Sequence, residues 1–164
     1  MKMRVPYIIV LMVVQCVLLV TPQVLAQENV LPDSAIAAIN AVWHGEWTNP
    51  IGHVYSAEMH LTVSNNGTIQ GEIDWTLQKS PRDYEQAKVG LKGIEFVSGK
   101  YDAANKLLVF SGYKKEDPDT ILGLDQYRLL LAENEKVIGG ITFDNGDWRG
   151  IFSLIRVDRG IDYR

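Results

Sequence analysis

The chain has 164 residues, of which 16 are basic and 20 acidic, and its formal net charge is −4 at pH 7. No basic cluster interleaved with aromatic residues is present, which argues against nucleic-acid binding. The length of the chain and its lack of internal repeats or low-complexity tracts indicate a single domain.

Residues 1–26 have the three-part order of a secretory signal peptide. Lys2 and Arg4 form a basic start, an apolar stretch follows from Tyr7 to Val20, and Val24 and Ala26 place short side chains before a cleavage point. Cleavage after Ala26 predicts a secreted or periplasmic protein of about 138 residues. An uncleaved membrane anchor is the alternative, which the shortness of the apolar stretch disfavours.

Cleavage would also remove Cys16, the single cysteine of the chain. The mature protein would then contain no disulfide and no cysteine to act as a nucleophile or metal ligand. It would carry 14 basic and 20 acidic residues, a net charge near −6. No apolar run long enough to span a membrane would remain after cleavage.

Residues 27–42 are predicted to form a lead and a short helix, because Asp33 or Ser34 can cap an apolar stretch that ends at Ile39. After Trp43, apolar and polar residues alternate with a period of two between recurring turn residues, which is typical of antiparallel strands. We expect one barrel domain at 43–158 and a tail at 159–164. The expected strands are 43–47, 55–63, 69–77, 91–101, 107–113, 126–132, 137–143 and 148–157.

This pattern favours an all-β fold, an eight-stranded antiparallel up-and-down barrel, because closure removes the exposed edges of a sheet. A two-sheet sandwich is the alternative. The large side chains on the apolar face of the strands are expected to point inwards, and they either fill the core or line an open end. These side chains are Tyr55, Met59, Trp75, Phe96, Phe110 and Phe152.

The alternation is clearest in the hairpin 55–77, where it also predicts the register. A two-residue loop would set the apolar face of one strand against the polar face of the other. A three-residue loop pairs Ser64 with Thr68, keeps both apolar faces together and places Gly67 in the left-handed position. We therefore predict the three-residue loop.

The first strand reads Gly45-Glu46-Trp47-Thr48-Asn49-Pro50-Ile51-Gly52-His53. This segment resembles the opening strand of avidin-like proteins, and its Gly-x-Trp start is shared with lipocalins and the wider calycin group of small β-barrels. The resemblance covers mainly residues 45–73 and implies an eight-stranded barrel. It also implies that Gly45 and Trp47 close the barrel floor, with Trp47 packed against a basic residue of the last strand, here Arg156.

The same resemblance implies that Asn49, Ile51 and His53 face a ligand. Two departures from the avidin-like pattern argue against biotin as that ligand. Ile73 stands where the family has a phenolic donor, and Arg156 stands where it has a polar residue for the ring nitrogen. Because biotin affinity depends on meeting every ureido hydrogen bond in a buried pocket, we do not expect biotin binding.

The three histidines raise the question of a metal site. His44, His53 and His60 have neither zinc-type spacing nor a third convergent ligand in the sequence, so no metal site is predicted. His60 is expected on the outer face, paired across the strands with Glu72. Asp117-Pro118-Asp119 is interpreted as a turn rather than a calcium loop.

No catalytic residue is predicted. Ser111 and Ser153 lack the sequence context of a nucleophile with a histidine and an acid. Glu72 and Asp74 lie two positions apart on a strand face that is expected to meet solvent, whereas acid–base carboxylates need a cleft.

The favoured hypothesis is an exported, non-enzymatic barrel that binds a small apolar or amphipathic molecule at one end, without a cofactor. Its expected ligand-binding residues are Asn49, His53, Tyr55 and Trp75. One alternative is an interaction module with a filled core, which binds a protein or envelope component. A hydrolase-type enzyme is a further alternative. The sequence leaves the ligand, the partner and the oligomeric state open.

Overall fold

The computed structural model describes residues 30–144 and 148–157. The predicted signal peptide, with its cleavage point after Ala26, lies outside the described residues, and so does the predicted tail at 159–164. In the part of the chain that is described, no helix has both the length and the apolar character needed to cross a membrane.

Within the described residues, eight antiparallel strands close into a barrel, each paired with its chain neighbours and the last paired with the first. The strands are β1 (Val42–Thr48), β2 (Val54–Val63), β3 (Thr68–Lys79), β4 (Lys92–Asp102), β5 (Leu107–Glu116), β6 (Gln126–Leu131), β7 (Val137–Phe143) and β8 (Arg149–Val157). Helix α1 (Asp33–Ile39) precedes them, and a 3₁₀ helix (Asp83–Lys88) lies between β3 and β4. The predicted up-and-down barrel is confirmed, and the sandwich alternative is wrong.

The β2–β3 hairpin has the register that the alternation predicts. The Ser64 amide donates to the Thr68 carbonyl at 3.0 Å, so the loop between them has three residues. Gly67 ends this loop with a φ of +76°, a left-handed conformation that favours glycine. The apolar faces of both strands therefore point into the barrel.

The two ends of the barrel differ. At the helix end, Ile39 of α1 and Trp43 of β1 are fully buried, and Trp43 Nε1 donates to the Ile39 carbonyl at 3.1 Å. At the opposite end, which we call the loop end, residues of the connections 80–91 and 117–125 come together with Asp144 and Trp148, and His53 of the connection 49–53 packs against Trp148.

The barrel interior below the loop end is filled by apolar and aromatic side chains. Fully buried residues of this layer are Met59, Leu108, Leu129, Ile138 and Leu154. Above them the rings of Phe110 and Tyr127 stack with centroids 4.6 Å apart. Burial of each such side chain stabilises the fold by about 1.5–3 kcal/mol, so a cysteine-free barrel of this size needs no covalent cross-link.

Gly45 marks the place where the barrel closes. It lies between Ala57 of β2 and Leu154 of β8, and an added Cβ would overlap the Ser153 carbonyl oxygen. The glycine of the Gly-x-Trp pattern therefore allows the backbones of the first and last strands to approach closely.

The inward direction expected for Phe96 is wrong. On β4, Glu95 faces the interior and is 2% exposed, whereas Phe96 is half-buried on the outer side with Lys114 Nζ 4.5 Å from its ring centroid. The pairing of Glu95 with the buried Ile73 of β3 sets this direction. Tyr55, Met59, Trp75, Phe110 and Phe152 are buried, as expected.

The register also corrects the expected packing of Trp47 on Arg156. Trp47 lies opposite Phe152 on β8. Arg156 lies opposite Trp43, four residues along the strand towards the helix end. Arg156 Nη1 lies 3.5 Å from the Ala38 carbonyl oxygen of α1. The strand register thus does not bring Trp47 and Arg156 together.

Candidate ligand-binding site

A cavity of about 280 Å³ lies at the loop end of the barrel. Its wall is aromatic, formed by Trp47 of β1, Tyr55 of β2 and Trp75 of β3, and Trp148 lies at its rim. Glu95 and the residues 120–123 and 125 also line it. The volume is close to the lower limit of about 300 Å³ for ligand pockets, so the cavity fits a small molecule.

The aromatic wall is rigidly packed. Tyr55 meets Trp47 edge to face at 5.6 Å between centroids and meets Trp75 in the same manner at 6.1 Å. Its hydroxyl donates to the Ile121 carbonyl at 2.7 Å, and burial raises the pKa of Tyr55 to about 12. Tyr55 therefore remains a neutral hydrogen-bond donor that ties the 117–125 connection to the barrel.

Glycines on neighbouring strands leave space for two side chains that line the cavity, Trp47 and Glu95. An added Cβ on Gly150 of β8 would overlap the indole of Trp47, and one on Gly112 of β5 would overlap the carboxyl group of Glu95. These strand glycines are therefore not only bends, because they accommodate specific cavity residues.

Glu95 places a carboxyl group at the buried side of the cavity. Its Oε2 accepts hydrogen bonds from Trp75 Nε1 at 3.2 Å and from the hydroxyl of Tyr127, and its Oε1 accepts one from the Asp125 amide at 2.9 Å. Burial raises the pKa of Glu95 to about 7, although these hydrogen bonds oppose the rise. Ionised and protonated forms of Glu95 therefore coexist near neutral pH.

Asp125, which is half-buried, places a second carboxyl group beside Glu95. Burial raises its pKa to about 6, a hydrogen bond with the Thr142 hydroxyl opposes the rise, and the charge of Asp144 adds to it. Thr142 Oγ1 in turn accepts from Trp47 Nε1 at 2.6 Å. Within the described residues, neither Glu95 nor Asp125 forms an ion pair.

The 3₁₀ segment is fixed over one side of the cavity by Glu85. Its Oε2 accepts from His53 Nε2 at 2.9 Å and from the Ser80 hydroxyl, and its Oε1 accepts from Arg82 Nη1 at 3.0 Å. Burial alone would raise the pKa of Glu85, but these hydrogen bonds lower it to about 2. The guanidinium of Arg82 lies 4.7 Å from the ring centroid of Trp148.

The four residues expected to bind a ligand fall into two groups. Tyr55 and Trp75 line the cavity. Asn49 and His53 are buried and are not among the residues that line it: Asn49 Oδ1 accepts from the His53 amide at 2.9 Å, and His53 bonds to Glu85. The exposed Ile51 lies in the same connection.

Sequence reasoning missed Glu95 and Asp125. Glu95 stands between Ile94 and Phe96, whose apolar character suggested that the opposite face of β4 was buried. Gly93 and Val97 lie on the same inward face as Glu95, but one glycine and one valine are too weak an apolar pattern to predict that this face is buried. The position of Asp125 depends on how the 117–125 connection folds. Asp117 stabilises the fold of this connection, because its carboxylate accepts hydrogen bonds from the Ile121 and Leu122 amides at 2.9 Å each.

The outer face of β1–β3 carries a separate polar cluster. Glu58 lies between two histidines, 2.9 Å from His44 Nε2 and 2.8 Å from His60 Nε2, and hydrogen bonding to His60 lowers its pKa. His60 lies opposite Glu72 in the register, as expected, but its side chain bonds to Glu58. Ligand-type atoms of Glu58, His60 and Asp74 come within 4.8 Å of one another, a convergence that the sequence spacing did not predict.

No protein-family model matches the chain. Over 87 residues, the chain is 29% identical to a probable carboxypeptidase of Ajellomyces capsulatus. The matched region is 53% of this chain and 19% of that protein, so the chain spans about a fifth of the length of this relative. The fold is consistent with the calycin-like resemblance at the level of an eight-stranded barrel. The comparisons neither confirm nor exclude ligand binding or export.

Proposed function

We propose that this protein is an exported, non-enzymatic barrel that binds a small amphipathic molecule in the cavity at its loop end. The observation that carries the proposal is the cavity itself, which has an aromatic wall and a carboxyl-bearing floor in a barrel that is otherwise packed. Export follows from the predicted signal peptide.

The cavity wall supplies the two kinds of contact that a small amphipathic molecule needs. The indoles of Trp47 and Trp75 offer apolar surface, and burial of apolar ligand area contributes about 25 cal/mol per Å². Glu95 and Asp125 supply fixed polar groups that orient the ligand. A packed wall with few well-placed polar groups is the usual composition of a preformed binding site.

Buried carboxyl groups with raised pKa values also occur in enzymes. We favour binding over catalysis because both oxygens of Glu95 are already held by donors of the barrel wall, from Trp75, Tyr127 and the Asp125 amide. A carboxyl group held in this way is suited to present hydrogen-bonding atoms at a fixed position, whereas a general acid or base must exchange its proton with a substrate.

A second candidate function, the interaction module, is favoured by the outer surface of β6–β8. Leu130, Ile141, Ile151 and Ile155 are each more than half exposed there. Clusters of exposed apolar side chains are typical of protein contacts. The simplest form of this candidate has a second copy of the chain as the partner, and sedimentation velocity of the wild type and of Ile151→Glu tests that form. A dimer that the variant abolishes supports it, and a monomer at all concentrations contradicts it.

Saturation-transfer NMR with a panel of small aromatic amines, alcohols and acids tests the proposed binding. Gly123 lines the cavity, and an added Cβ there would meet nothing closer than the Asp125 and Asp144 carboxylate oxygens at 3.6 Å, so Gly123→Phe is chosen to add a ring at this wall of the cavity. We expect panel members to bind the wild type with dissociation constants of roughly 10 μM to 1 mM, and Gly123→Phe to lose this binding.

Gly139→Ala is the matched control, because its added Cβ would meet nothing closer than the Phe152 carbonyl oxygen at 3.5 Å. This control should bind the panel like the wild type. The proposal would be contradicted if no panel member bound the wild type, or if Gly123→Phe bound the panel unchanged.

A further inference from the structure

We infer that the cavity at the loop end selects an organic cation, a primary amine carried on an aromatic group. This inference rests on the ligand-binding role proposed above and names the chemical class of the ligand.

The charged groups on the inner side of the cavity are carboxylates. Glu95 and Asp125 both line it, and Glu95 is 2% exposed. Neither carboxylate has a cationic partner among the described side chains. A buried carboxylate without a cation is costly, and a ligand ammonium group would supply the missing opposite charge.

The cationic side chains of the cavity lie at its mouth and already have partners. Arg82 is paired with Glu85 at 3.0 Å and packs on Trp148. Lys88 Nζ donates to the carbonyl and the hydroxyl of Thr120 at 3.0 and 3.1 Å. Because these two cations are held at the rim, they offer little to an anionic ligand in the interior.

By the count of its lone pairs, Glu95 can accept one more hydrogen bond. A carboxylate offers about four lone-pair directions, and three of them are used by Trp75, Tyr127 and the Asp125 amide. One N–H of a ligand ammonium group can take the remaining direction. The bond would be charge-assisted, which makes it about twice as strong as one from a neutral hydroxyl.

The aromatic wall favours the same class of ligand. The faces and edges of Trp47, Tyr55 and Trp75 surround the space next to the carboxylates. A ligand cation beside indole and phenol rings gains cation–π attraction, and an attached aromatic ring gains stacking contacts with the same residues. An aromatic amine satisfies the carboxylates and the wall together.

Isothermal titration calorimetry with matched probes tests the inference. The probes share one skeleton and differ in charge: tryptamine, tryptophol and indole-3-acetate, together with phenethylamine, phenethyl alcohol and phenylacetate. At pH 8, above the pKa of about 7 of Glu95, we expect each amine to bind about tenfold or more tightly than its alcohol, and each acid to bind more weakly still.

Glu95→Gln should remove the preference, lowering the affinity for the amine about tenfold so that the amine and the alcohol bind alike. Glu46→Gln, on the exposed outer side of β1, makes the same change in net charge and should keep the preference. Asp125→Asn serves as a second test if circular dichroism shows that Glu95→Gln is unfolded.

Equal or tighter binding of the alcohols or acids would overturn the inference, and so would an amine preference that survives in both Glu95→Gln and Asp125→Asn. In these cases the cavity still binds ligand and the proposed function stands. If no probe or panel member binds the wild type, the proposed function fails together with the inference.

Discussion

Trp75 Nε1 donates to Glu95 Oε2 at 3.2 Å across the interior of the barrel. This hydrogen bond joins the aromatic wall of the cavity to its most deeply buried carboxyl group. Neighbouring strands make it possible, since β3 carries Trp75 and β4 carries Glu95 on inward-facing positions. Any molecule that enters the cavity therefore meets an apolar ring and a carboxyl group held at fixed separation.

The buried carboxyl group of Glu95 predicts how the stability of the fold depends on pH. Burial raises the pKa of Glu95 from 4.5 to about 7, so the native state binds this proton more tightly than the unfolded state does. The free energy of unfolding should therefore fall by about 3 kcal/mol as pH rises from about 4.5 through about 7.

Urea unfolding of the ligand-free protein between pH 5 and pH 8 measures this effect. Glu95→Gln has no proton to lose at this site, so its free energy of unfolding should fall less steeply than that of the wild type. Glu46→Gln should follow the wild type. A Glu95→Gln variant with the pH dependence of the wild type would show that Glu95 titrates normally.

Gly150→Ala should destabilise the fold by about 1–3 kcal/mol, because the added methyl group would overlap the Trp47 indole and force the ring out of position. Gly139→Ala, on the neighbouring strand β7, has room for its methyl group and should change stability by no more than about 0.5 kcal/mol. Thermal unfolding of the two variants checks the difference. Equal stability of both would contradict the tight packing of Gly150 against Trp47.

Glu85→Gln should loosen the 3₁₀ segment, because the hydrogen bonds from His53, Ser80 and Arg82 that hold the pKa of Glu85 at about 2 are strongest to an ionised carboxylate. Hydrogen–deuterium exchange of residues 80–91 should become faster. Asp83→Asn makes the same change in charge at an exposed position of the segment and should leave the exchange unaltered. Unchanged exchange in Glu85→Gln would show that Glu85 does not hold the segment.

Biotin–agarose should not retain the mature protein. Ile73, at the place where the avidin-like resemblance has a phenolic donor, is fully buried, and Arg156 lies towards the helix end beside Ala38. Neither residue can supply a ureido hydrogen bond at the loop end. An avidin serves as the positive control, and tight retention of this protein would contradict the alignment of these two residues.

Much of the fold could be predicted from the sequence, because strict alternation determines which face of a strand is buried. The parity of the hairpin loop then determines the β2–β3 register, and Tyr55 and Trp75 follow as inward residues of the cavity wall. Glu95 could not be found in this way, since burial of a carboxyl group runs against the hydrophobic pattern. Its position depends on donors from Trp75 and Tyr127, which only the assembled barrel provides.

The role of His53 shows a second limit. The resemblance to avidin-like proteins implies a ligand contact for this residue, but the short 49–53 connection turns back on itself through Asn49. His53 then meets Glu85, 32 positions further along the chain. Contacts between separate loops depend on the whole barrel, so a local motif does not determine them.

The central claim, that the cavity at the loop end binds a small molecule, is tested most directly by the indole N–H signals of the four tryptophans in a ¹⁵N-labelled protein. Trp47, Trp75 and Trp148 line the cavity, whereas Trp43 lies at the helix end and donates to Ile39. Titration with tryptamine should shift the signals of the three cavity tryptophans and leave that of Trp43 unchanged. Four unmoved signals, or a shift at Trp43 without shifts at the other three, would contradict the claim.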